Sequence, residues 1–292
     1  MFILTQLLGL AVVNFYLNPN HILPYGFDSS KTIQPASFLI QLIFSFIITV
    51  VIILMLMKIR SEFFMKLWFF VVVSLAIAVS MNAMLSIYSF IIAPTIIALI
   101  IGVIFSYFKI FRMNILIHNI TEVMVYPGIA ALFVTMLNIK ITIILLLIIS
   151  VYDMWAVWKS KIMVKMAKYQ INTLGIFGGF LIAHANKKIK EKIRLLKQKY
   201  KNNIPDKILK KNKIKIQLAI LGGGDIVFSI IAAGVFLKTY QSFVGSLVVI
   251  LFASLALLYL YTFGKKNKSY PAMPYLTTGI LIGMAISKIF LI

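Results

Sequence analysis

Long apolar runs separated by short polar connections make up almost the whole chain. Outside one basic stretch, nearly every window of 18 or more residues is apolar. Runs of that length predict bilayer-spanning helices, each needing roughly 20 apolar residues. Read in order, the first runs from Met1 to Leu17 and the second from Ser37 to Met57, with Pro19, Pro24 and Pro35 between them. The third covers Leu67 to Met84, the fourth Ser89 to Phe108, the fifth Ile120 to Leu137 and the sixth Ile141 to Trp158. A long polar loop follows, Lys159 to Lys213. The seventh covers Ile214 to Leu237, the eighth Ser242 to Phe263 and the ninth Tyr270 to Ile292. The fold class predicted is therefore all-α: a polytopic membrane protein of about nine transmembrane helices. It divides into residues 1–158 (spans one to six), 159–213 (a basic loop) and 214–292 (spans seven to nine), one membrane-embedded domain in all.

Composition agrees and excludes other classes. The hydrophobic set makes up 62% of the 292 residues, only 12% are charged, and mean hydropathy is +1.02. Soluble domains are nearer half apolar and a quarter charged, so a soluble enzyme is excluded. The first run lacks a basic segment before it and a small-residue cleavage site after it, so it reads as a retained span.

A net charge of +22 suggests nucleic acid until its distribution is examined. Most basic residues lie in the connections after spans two, four, six and eight, whereas Lys31, Lys140, Lys238 and Lys288 fall on the opposite side. That asymmetry predicts a cell-membrane protein with its N-terminus and the 159–213 loop in the cytoplasm and its C-terminus outside. No nucleic-acid partner is expected. Within the loop, Trp158 to Tyr169 reads as an interfacial amphipathic helix. Leu174 to Ala183 is apolar but too short to span. Asn186 to Asn203 is basic and suits either anionic headgroups or a solvated tether. There are no cysteines, and His21, His118 and His184 form no metal-binding pattern, so neither metal nor cofactor is expected.

The acids carry the chemistry. Of seven, Asp28, Glu62, Glu191 and Asp206 fall in loops, and Glu122 reads as a charge at the start of span five, favoured there by the helix dipole. Asp153 and Asp225 lie inside spans six and seven. A carboxylate there costs on the order of 2.5–3.5 kcal/mol on insertion scales and usually faces a bundle interior. Counting helical rise from the inner surface places the two roughly 8 and 16 Å deep on consecutive antiparallel helices. Two such carboxyls would share a proton, one activating water while the other donates to a carbonyl. Gly222, Gly223 and Gly224 precede Asp225, and Gly222 falls one turn below it on the same helix face. Pro271-Ala272-Met273-Pro274 opens span nine at the same level and could wall the site.

These residues together resemble the presenilin and signal peptide peptidase family of intramembrane aspartyl proteases, most closely its archaeal presenilin homologues. Tyr152-Asp153 matches the family's YD motif, Gly222-Gly223-Gly224-Asp225 its GxGD motif, and Pro271-Ala272-Met273 its PAL motif with Met in place of Leu. The resemblance implies an Asp153/Asp225 catalytic dyad, with Tyr152, the three glycines and Pro271 to Met273 positioning the substrate. It implies transmembrane-helix protein substrates that unwind and add a strand beside the site, with the run Leu174 to Ala183 as a candidate edge. Family presenilins gain partner subunits and cleave themselves in this loop; nothing in the sequence requires either. Two rivals stay open. A prepilin peptidase also carries GxGD but is a smaller bundle without PAL. An ion-coupled transporter or channel would use the aspartates as a proton or sodium relay.

Overall fold

The computed structural model describes residues 1–27, 62–88, 93–112, 114–160, 175, 178–184, 217–263 and 270–290, with some helical residues between 40 and 55. Eight helices are bounded within these: α1 (Phe2–Leu17), α2 (Glu62–Leu85), α3 (Pro94–Phe111), α4 (Ile115–Met136), α5 (Ile139–Met154), α6 (Gly223–Tyr240), α7 (Phe243–Phe263) and α8 (Met273–Phe290). Seven of them, α2 to α8, are long and apolar enough to cross a membrane, and α1 is a shorter apolar helix. The expected second span lies partly outside the described residues; those described between Ile40 and Met55 are helical, with a short apolar helix over Ile43–Ile52. A multi-pass helical bundle therefore stands.

Helix ends follow local chemistry. Asn114 caps α4 by accepting from the Leu116 amide at 3.0 Å, and Asn138 caps α5 by accepting from Ile141 N–H at 2.9 Å. Lys238 on α6 closes the other end of α4. Its ammonium donates to the carbonyls of Val134, Thr135 and Leu137 at 3.1, 2.6 and 3.2 Å, groups left over where that helix ends.

α6 occupies the middle of the bundle. It is the most buried of the seven spans and packs against α1, α4, α5, α7 and α8. Its Ile226, Ile230, Ala233 and Phe236 are fully covered. The outward faces of other helices, by contrast, expose large apolar side chains such as Phe105, Leu251 and Ile282, as lipid contact requires. Close approaches rest on small residues. A Cβ on Gly279 would meet Phe252 O at 2.7 Å and one on Gly283 the Val249 Cα at 2.9 Å, so these glycines serve α7–α8 packing.

The structure corrects the sequence reading over Gln217–Gly222; residues 214–216 lie outside the described residues. Gln217–Gly222 is not part of a helix but a strand, β2, paired antiparallel with β1 (Gly179–His184). The helix begins only at Gly223, after Gly222 at φ −62° and ψ 140°. Glycine weakens a helix by about 0.5–1 kcal/mol per residue, and a ladder to β1 supplies the backbone bonds that a glycine-rich first turn would hold poorly. Part of the short apolar run Leu174 to Ala183 is thus half of a hairpin. The expected amphipathic helix over Trp158 to Tyr169 lies mostly outside the described residues; Trp155–Ser160 at its start is a π-helical turn extending α5. The basic stretch 186–203 is also outside them.

Candidate active site

Asp153 and Asp225 sit at helix ends that face each other. Asp153 is the penultimate residue of α5 and Asp225 lies in the first turn of α6, whose opening amides have no intrahelical acceptor. Asp225 is thus the third residue of its helix rather than about the eleventh. α5 and α6 pack together, and the carboxyls are close enough for Asp153 to act electrostatically on Asp225. Asp153 is buried, at 7% exposure, and Asp225 is half-buried.

The Pro271 segment holds the first of these carboxyls. Met273 N–H, at the start of α8, donates to Asp153 Oδ2 at 3.1 Å, and the Ala272 amide is a second backbone partner. Pro271 lies ahead of α8 and Pro274 in its first turn, where backbone amides have no intrahelical acceptor, so Met273 N–H is available to Asp153. One turn further from the helix ends, Ser150 Oγ and Thr277 Oγ1 lie 2.7 Å apart and join α5 to α8 again. Pro271 and Met273 are buried and Ala272 half-buried. Tyr152 is half-buried with its ring tilted against Trp155, 6.3 Å between centroids.

Each of the three glycines has a different role. Gly222 is not one helical turn from Asp225, as a continuous helix would place it, but the last residue of β2. A Cβ on it would stand 3.0 Å from Asp225 Oδ2, so its absence leaves room for the carboxyl. A Cβ on Gly223 would come within 2.8 Å of both Cε1 and Oη of Tyr126 on α4. A Cβ on Gly224 would meet nothing nearer than Phe228 Cε2 at 4.0 Å, and Gly224 is exposed.

Several residues at the site were given no role by the sequence. Glu122 is not a dipole-favoured charge at a helix start: α4 begins at Ile115, and Glu122 is 1% exposed in its third turn. Lys109, counted from sequence as an inner-loop cation, is in the last turn of α3, buried, with its ammonium 2.6 Å from Glu122 Oε1. His118 is likewise in α4 rather than a loop, 3.6 Å from the same oxygen. An acid thirteen positions after a lysine, across one short connection, was the available signal. Tyr126, one turn beyond Glu122, feels both Glu122 and Asp225.

A family profile described as signal-peptide peptidase, presenilin aspartyl protease matches residues 1–291. Two solved structures of a presenilin family intramembrane aspartate protease, in space groups C222 and P2, share the fold with TM-scores of 0.61 and 0.60. Their identities are 16% and 15%, and each match covers 99% of this chain and 96% of the other. No curated protein sequence matches. An ion relay has no such support. The chain belongs to the signal-peptide peptidase and presenilin family of aspartyl proteases: it is a multi-pass membrane protein that cleaves membrane-protein substrates within the bilayer.

Proposed function

We propose that Asp153 and Asp225 are the catalytic dyad of this intramembrane aspartyl protease. The observation that carries the reading is their juxtaposition at the end of α5 and the start of α6, with the Met273 amide bonded to Asp153 Oδ2 at 3.1 Å. The site needs one proton between two carboxyls. The ionised carboxylate takes a proton from water as its oxygen attacks the scissile carbonyl carbon, and the protonated partner donates to the carbonyl oxygen. Collapse of the resulting tetrahedral diol breaks the C–N bond, with a proton passing to the leaving amine. Water, peptide and two carboxyls balance the hydrolysis without any cofactor.

Substrate positioning falls to Tyr152, to Gly222, Gly223 and Gly224, and to Pro271, Ala272 and Met273. Exposed Gly224 offers a stretch of bare backbone beside Asp225, and the hairpin β1–β2 ends one residue before α6 begins. An unwound transmembrane segment adding a strand to that hairpin would be delivered directly to the dyad. The charge asymmetry of the connections supports a cytoplasmic N-terminus and 159–213 loop in a cell membrane, with Asn186 to Asn203 attracted to anionic headgroups.

The test is proteolysis in liposomes of a single-pass helical substrate by the native protein and by Asp153→Asn and Asp225→Asn. Cleavage within the hydrophobic stretch by the native protein alone, with both variants folded, is the expected result. Cleavage by either variant at more than a few per cent of the native rate would remove that aspartate from the dyad.

A further inference from the structure

The two-stranded hairpin beside Asp225 is secured from the side by α4. Gly223 N–H donates to Gly178 O at 3.2 Å, so the ladder bonds flank the Gly179–Gly222 pair rather than passing through it. In an antiparallel ladder, the N–H and C=O of such a residue point away from the partner strand. Those of Gly179 therefore face the outer edge of β1, and α4 meets both. Gly179 N–H donates to Glu122 Oε1 at 3.4 Å, and Gly179 O lies 2.8 Å from His118 Nε2. A carbonyl only accepts, so Nε2 is the protonated ring nitrogen. Two side chains one helical turn apart supply what a neighbouring strand would supply.

The acid is itself fixed. Lys109 Nζ bonds the same Oε1 at 2.6 Å, with side-chain exposures of 3% and 1% for the pair. Tyr126 continues the row on α4, its ring edge-on to Phe180 of β1 at 5.8 Å and its hydroxyl against Gly223. His118, Glu122 and Tyr126, at i, i+4 and i+8, thus follow the chain from the start of β1 to the residue two before Asp225.

We propose that Glu122, held by Lys109 and acting with His118, is a positioning residue that closes the outer edge of β1 next to the site and fixes the hairpin from which Asp225 is presented. This rests on the dyad reading above. A substrate strand arriving near Asp225 then finds β1 occupied at Gly179 and must pair elsewhere on the hairpin. The partners of Glu122 are Lys109, His118 and Gly179 rather than either aspartate, so it acts through the register of β1 against β2.

The ion pair also joins α3 to α4, so the test must separate that glue from the strand anchor. Two double variants do so in the full-length protein. Lys109→Met with Glu122→Gln removes both charges but keeps a side-chain oxygen for Gly179 N–H. Lys109→Met with Glu122→Leu removes the charges and the oxygen together. Amide exchange over residues 178–184 is measured without substrate, and cleavage of the single-pass substrate is measured for rate and for the bond cut. The Gln double variant is expected within about threefold of native in both. The Leu double variant is expected to exchange about tenfold or more faster, to lose kcat more than KM, and to cut at additional bonds. Equal impairment of the two, or native exchange and a single native cut in the Leu variant, would overturn the proposal. Should the Leu variant fail to fold, His118→Phe removes the donor to Gly179 O alone and is read by the same criteria. Exchange needs no catalysis, so failure of the dyad reading in Asp153→Asn leaves this measurement decisive.

Discussion

Gly223→Ala is a one-carbon change whose cost can be worked from distances. The added Cβ would fall 2.8 Å from Cε1 and Oη of Tyr126 and 3.1 Å from Cζ. Real Cβ contacts below 3.0 Å essentially do not occur, so either the ring or the start of α6 must move. Tyr126 is 3% exposed and has Phe180 edge-on, so the ring has little freedom. Overpacking of this kind costs about 1–3 kcal/mol. Because Asp225 is two residues on, backbone movement displaces the carboxyl, and about 1.4 kcal/mol is a tenfold loss in rate. Gly223→Ala is thus expected to lower kcat about tenfold to a hundredfold. The specific partner is tested by a double-mutant cycle. Tyr126→Leu removes Cε1, Cζ and Oη together while keeping an apolar filler. In that background the added methyl should be nearly free, giving a favourable coupling of about 1–3 kcal/mol. Tyr126→Phe removes only Oη, leaves Cε1 in place and should rescue less. Thermal unfolding in detergent and cleavage in liposomes read the two components. Additivity of Gly223→Ala and Tyr126→Leu within about 0.5 kcal/mol would show that the clash is not with Tyr126 and would refute the reasoning.

Three further outcomes follow from single contacts. Lys238→Met strips a charged donor from three carbonyls at the end of α4 and should destabilise the fold by about 2–4 kcal/mol, seen as a lower unfolding midpoint, with the cleaved bond unchanged. Thr277→Val breaks the 2.7 Å link to Ser150 one turn from the Met273–Asp153 bond; Ser150 still bonds Leu146 O, so a loss of about 1 kcal/mol in stability and a several-fold fall in kcat are expected. Ala at Gly222 and Ala at Gly224 should differ. The first pushes on Asp225 Oδ2 and lowers kcat, whereas the second meets nothing nearer than Phe228 Cε2 at 4.0 Å, raises helix stability by up to about 1 kcal/mol, and raises KM where substrate passes over it.

Much of this architecture is legible in the sequence because lipid makes strong demands. Apolar runs long enough to cross a bilayer cannot be loops, and only two acids fall well inside such runs, so the helices and the aspartates are found by the same count. The Pro271 segment was legible as a break before a helix, though its amide on Asp153 was not. What escaped reading depends on partners distant in the chain. Residues 217–222 are as apolar as a helix and continuous with one. They become a strand because β1, over thirty residues earlier, offers a ladder, and periodicity within the segment carries no trace of that. Glu122 and Lys109 each looked like surface charges when taken alone. Their burial follows from α3 and α4 meeting at their connected ends, which puts thirteen positions of sequence across a single ion-pair distance.

The central place of α6 has a consequence for how the molecule is made. Gln6 on α1 is fully buried, and its side-chain amide donates to the carbonyl of Ile226, next to Asp225, at 3.1 Å. These residues are 220 positions apart. During synthesis, α1 enters the bilayer long before α6 exists, and until then that amide faces lipid or a temporary neighbour. An unpaired amide is worth about 1–3 kcal/mol, so the first helix carries a standing preference for the last third of the chain. Closure of α1 onto the bundle and arrival of Asp225 thereby become linked events, because the carbonyl that satisfies Gln6 belongs to the residue beside that aspartate.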